Sequence, residues 1–147
     1  MFRFSPSITE PSPFRDGVPL PPANVHVVGN SRPAERPQSG IRTVPLDELR
    51  RLGARATAEQ VLSAIPASAN LLLHFDVDVF HLDAMPAMYF PHDDGLTIDE
   101  GRTLFSAIAR DRRLRLIEVS EYASVRDFDR RAARALVDMI VQGLSAT

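Results

Sequence analysis

Leu71-Leu72-Leu73-His74-Phe75-Asp76-Val77-Asp78-Val79-Phe80 is an apolar run that stops on two aspartates. It is too short to span a bilayer and reads as a buried strand with a charged pair at its carboxyl end. Open α/β sheets place their sites there, in the crevice beyond the strand ends. Residues two apart on a strand share a face, so Asp76 and Asp78 point toward one small volume. Carboxylates that close repel one another, and burying them costs several kcal/mol per ion unless a cation compensates. A divalent metal is the usual compensation. The competing reading gives both aspartates to turn formation and capping after the strand, a role Asp often fills.

Working outward, the chain alternates strand and helix. Val25 to Val28 is a short β-branched run closed by Gly29-Asn30, and Ile41 to Val44 forms a second strand. Pro45 suits the first turn of a helix from Leu46 to Leu52, stopped by Gly53. Thr57 and Gln60 have capping-box spacing for a helix running to Pro66, and Thr97 and Glu100 have it for a helix carrying Leu104, Phe105 and Ile108. Leu114 to Val119 reads as the last strand, and Asp127 to Gln142 as the last helix, with Gly143 just past its end. Such alternation predicts an α/β fold: a partial three-layer α/β/α unit with a small, mainly parallel sheet. Residues 1–24 hold six of the twelve prolines and are expected to form an irregular arm, leaving residues 25–147 as the α/β domain.

Composition narrows the function. A net charge of −2 argues against nucleic acid or an anionic membrane as partner. All seventeen basic residues are arginine, which excludes any mechanism needing lysine. The clusters Arg110, Arg112, Arg113, Arg115 and Arg126, Arg130, Arg131, Arg134 read as solvated faces. With no cysteine there is no thiol nucleophile, disulfide or cysteine zinc site. The sequence shows no apolar leader and no run long enough to cross a bilayer, so the expected compartment is the cytoplasm.

The segment His74-Phe75-Asp76-Val77-Asp78-Val79-Phe80, then Met85-Pro86-Ala87, then Asp94-Gly95-Leu96-Thr97, then Ile117-Glu118-Val119, resembles the ureohydrolase superfamily of arginases, agmatinases and formiminoglutamases. The match covers the carboxyl-terminal half of that fold, from about Val25 onward. The resemblance implies an arginase-like fold and a binuclear Mn2+ centre whose bridging hydroxide attacks a guanidino-type carbon. It also implies that Asp76 bridges both metals, that Asp78 binds one, and that Glu118 holds the substrate guanidinium. Carboxylate oxygens suit a hard cation, and a carboxylate facing a planar guanidinium can form paired, charge-assisted hydrogen bonds.

The family draws its other metal ligands and its catalytic histidine from the amino-terminal half, and nothing in this sequence matches those motifs. His81 and Leu82 stand where Asp-Pro is usual, and Asp94 replaces the first glycine of a Gly-Gly pair. His81 and His92, in the loop after the aspartates, are the candidates for replacement ligands. His74 reads as a packed or hydrogen-bonded core residue, and Glu118 as a buried carboxylate in need of a partner. The expectation is therefore an incomplete ureohydrolase-like domain, weakly active or inactive alone. Its expected partners are a guanidino-type substrate if assembled, and a second copy or a complementing chain. Two other functions compete. One is a non-catalytic half-domain or interaction module. The other is a haloacid-dehalogenase-like phosphatase, which shares a strand ending in Asp-x-Asp but expects Thr or Val at Phe80 and a lysine elsewhere.

Overall fold

A computed structural model describes residues 20–31 and 40–145, so most of the proline-rich arm lies outside the described residues. Four strands among the described residues form two parallel pairs. β1 (His26–Asn30) runs beside β2 (Arg42–Pro45), and β3 (Leu71–Asp76) beside β4 (Leu114–Ser120). The strands are parallel as expected, and no ladder joins the two pairs among the described residues. Short stretches of 3₁₀ helix lie at Pro22–Asn24, Val77–Val79 and Ser124–Arg126.

Four α-helices follow the strands: α1 (Leu46–Leu52), α2 (Ala54–Ser63), α3 (Ile98–Ala109) and α4 (Arg131–Ser145). α1 packs on β1 and β2, α2 on α3, and α3 on α4. The side chains of β3 show why the fold takes this shape. Leu73 and Phe75 turn to one face, where Phe75 meets Phe105 of α3 at 5.2 Å between ring centroids and Phe80 at 5.9 Å edge-on. Offset and edge-on rings add about 0.5–1.5 kcal/mol per pair beyond their burial. Met85, Met88, Leu96 and Met139 complete this core, fully buried.

The opposite face of β3 and β4 is bare. Leu72 is 63% exposed and Leu116, its partner across the ladder, 53%. The apolar run expected to be a buried strand is thus covered on one side only. Period-two alternation divides it: odd-numbered residues build the core, and Leu72, His74 and Asp76 face outward.

Several local expectations need correction. Thr57 and Gln60 do not cap a helix, because α2 already begins at Ala54. Gly53 alone separates α1 from α2, at φ +88°, a conformation that costs other residues steric strain. Thr57 is buried inside α2. That helix stops at Ser63, where Arg113 donates to the carbonyls of Leu62, Ile65 and Pro66 while pairing with Asp111 at 2.7 Å. Arg113 is therefore a cap for α2 and not part of a solvated cluster.

Thr97 and Glu100 do form a complete capping box. Arg50 ties this helix start to α1, donating to the Gly95 carbonyl at 2.8 Å and lying 3.7 Å from Glu100. α4 starts at Arg131, four residues after the expected Asp127. Asp127 is a buried carboxylate accepting from the amides of Ala132 and Ala133 and from the Tyr122 hydroxyl. Arg126 donates to the carbonyls of Met88 and Tyr89 and does not belong to the outer face of the helix. Gly143 lies inside α4, not past its end, because a Cβ there would stand 2.7 Å from the Phe105 ring.

Candidate functional site

The site is built at the carboxyl end of β3, where the backbone leaves the strand through the 3₁₀ turn Val77–Val79. Asp76 ends the strand, and its Oδ1 accepts the Asp78 amide at 2.9 Å, capping the turn. Asp78 sits inside the turn, and its Oδ1 accepts the Phe90 amide at 3.3 Å. Burial, the largest cause, pushes the Asp78 carboxyl above its ordinary value. The Phe90 amide opposes this shift, and the negative charge of Asp76 adds to it. A raised carboxylate beside a second one marks a place that favours a cation, although structural networks also shift such groups.

The loop after β3 is held close to these aspartates. Phe80 and Leu96 form a parallel bridge, and a Cβ on Gly95 would fall 2.1 Å from the Phe80 carbonyl carbon. Only glycine fits there, so the Gly95-Leu96-Thr97 segment can return to the strand end and start α3.

The two candidate histidine ligands have other engagements. His81 Nδ1 accepts the Asp83 amide at 3.1 Å. The Nε2–H of His92 donates to the backbone carbonyl of Asp78, since a carbonyl can only accept. His92 Nδ1 is buried and without a partner among the described residues. The Nε2 bond also shows His92 steadying the turn that carries Asp78. Among the described residues, no group of three or more histidine, aspartate and glutamate side chains is placed to hold a metal ion. Two carboxylates fit part of a metal centre and do not make a whole one.

Glu118 lies on the bare face of β4 with its side chain 59% exposed, so it is not the buried carboxylate expected. Its partner is His74, directly opposite on β3, whose Nδ1 is 2.9 Å from Glu118 Oε2. His74 is likewise outside the core. Ser120, opposite Asp76 in the ladder, stands 3.2 Å from the other ring nitrogen of His74. The sequence reading missed this three-residue line. The available signal was the β3–β4 pairing itself, since parallel strands in register place His74 against Glu118. A cleft lined by Gly53, Arg55, Glu59, Asp99 and Glu100, between α2 and α3, contains none of these residues.

Parallel strands with helices packed on them, and a carboxylate pair where β3 ends, define an α/β unit with a candidate site at its strand ends. The arginase family model matches residues 12–145, and the chain belongs to the arginase family. A comparison with curated proteins gives no significant match. Solved structures share the fold. An arginase from Bacillus subtilis superposes with a TM-score of 0.77 at 21% identity, over 86% of this chain and 45% of its own length. A hypothetical agmatinase from Burkholderia thailandensis gives 0.74 at 23% identity, over 86% and 39%. A Trypanosoma cruzi formiminoglutamase solved with Mn2+ gives 0.64 at 24% identity, over 73% and 37%. The chain thus spans less than half the length of these three relatives. No helix among the described residues is long and apolar enough to cross a membrane.

Proposed function

We propose that this chain supplies one part of a manganese-dependent ureohydrolase site acting on guanidino-type C–N bonds in the cytoplasm. Asp76 and Asp78 are its metal ligands, and Glu118 is the carboxylate for the substrate cation. The observation that carries the reading is the paired carboxylates at the end of β3, one of them with its proton affinity raised by burial, in a chain of the arginase family. The remaining ligands come from outside the described residues, because those residues supply no third ligand beside the pair. The test is calorimetry with Mn2+ on the wild-type chain and on an Asp76→Asn/Asp78→Asn variant. Saturable binding lost in the variant supports the reading. Binding that survives the double substitution contradicts it.

The bare face of β3–β4 favours a second, compatible reading, in which the chain functions by association. Leu72 and Leu116 present apolar surface that a sheet normally covers, and unpaired strand edges invite pairing. The occupant is a second copy or a complementing polypeptide that finishes the fold. Sedimentation velocity across a dilution series is expected to show self-association. A monomer that persists at high concentration removes the second copy as the occupant.

A further inference from the structure

The bare face of β3–β4 carries three polar residues joined in one direction. A carboxylate only accepts, so the ring proton of His74 stands on Nδ1 and is donated to Glu118 Oε2 at 2.9 Å. In the neutral ring Nε2 is then the acceptor, and the Ser120 hydroxyl donates to it at 3.2 Å. Glu118 Oε1 makes no hydrogen bond to a described residue. A cross-strand His–Glu pair alone would be an ordinary surface contact worth little. The third member adds to it, because Ser120 engages the second ring nitrogen and so fixes the plane of the ring whose Nδ1 faces the carboxylate. Its own place in the ladder, opposite Asp76, sets the line beside the aspartate pair.

We propose that His74, its ring fixed between Ser120 and Glu118, is a positioning residue that holds Glu118 with Oε2 engaged and Oε1 turned to a guanidinium or amidinium group. This rests on the reading of Glu118 as the substrate carboxylate. It adds a positioning element, since each carboxylate oxygen can accept more than one hydrogen bond, so Glu118 can be oriented by His74 and still face a planar guanidinium.

The chain has four histidines, so their ring resonances can be resolved individually by NMR. Long-range ¹⁵N–¹H spectra at pH 8 are expected to show His74 as the Nδ1–H tautomer, and Glu118→Gln to mix the tautomers. Agmatine is expected to shift the His74 ring resonance, whereas putrescine, which lacks the guanidinium, leaves it in place. His74→Ala is expected to weaken agmatine binding several-fold with no change in melting temperature. His74→Asn, whose amide nitrogen stands close to the Nδ1 position, is expected to restore it. An Nε2–H tautomer, or agmatine binding unaltered in His74→Ala, overturns the positioning role and leaves the Glu118 reading intact. The Nδ1–H tautomer with no response to agmatine anywhere in the spectrum overturns both.

Discussion

The two faces of the β3–β4 ladder share the same strands and differ in almost everything else. On one, Phe75, Phe80 and Phe105 interlock with Met139 and Leu96 in a sealed core. On the other, Leu72 and Leu116 face solvent and His74, Glu118 and Ser120 form an exposed polar line. Folding is secured by the first face. The second carries the carboxylate proposed to meet the substrate, together with exposed apolar surface. On the proposed function, stability and chemistry divide across the thickness of one strand pair, and substitutions on the two faces are expected to separate cleanly.

The sharpest contrast comes from truncating each face in turn. Phe105→Ala removes a ring from the core and is expected to cost roughly 3–5 kcal/mol, read by urea denaturation. Leu72→Ala on the bare face is expected to change stability by less than about 0.5 kcal/mol. Comparable losses at both positions would mean that the outer face is covered and that the division does not hold. Gly101→Ala extends the contrast, because its new Cβ would stand 2.2 Å from Phe80 Cε1 in a core with no slack. A loss of about 1–3 kcal/mol is expected from such overpacking.

Away from the ladder, the Asp111–Arg113 latch carries the pH dependence of the α2 end. The Arg113 guanidinium holds the Asp111 carboxyl down at about 2, below the ordinary 3.8. Because the folded value is the lower one, the stabilisation is complete above the ordinary value and is lost as pH falls from there toward 2. Thermal melts between pH 5 and pH 2 are expected to show a steeper loss for wild type than for Asp111→Asn. Parallel curves would remove the latch as a source of acid sensitivity.

The smallest effect belongs to the site. Asp78→Asn removes a carboxylate that burial and Asp76 disfavour, so the metal-free chain is expected to melt slightly higher at neutral pH. A clear fall in melting temperature would assign Asp78 to the fold instead of to the site.

How much of this was legible depended on the range of the interaction. The capping box at Thr97 and Glu100 is local, and its pattern found α3 correctly. The aspartate pair was equally visible, as were the motifs that follow it. Thr57 and Gln60 have the same spacing yet cap nothing, because Gly53 already turns the chain into α2 four residues before Thr57. Gly143 resembled a helix stop but is a packing glycine, a role set by Phe105, which lies 38 residues away in sequence. Arg113 and Arg126 looked like solvated charge, and only the tertiary fold brings backbone carbonyls to them. His74 and Glu118 were misread for the same reason, since burial was inferred for a run that is covered on one side only.

The most direct test of the account uses Mn2+ as a paramagnetic probe in ¹H–¹⁵N spectra of the wild-type chain. Selective broadening is predicted at the amides of Val77, Asp78 and Phe90, absent in Asp76→Asn/Asp78→Asn. Broadening centred elsewhere, or unchanged in the double variant, would contradict the placement of the cation site at the carboxyl end of β3.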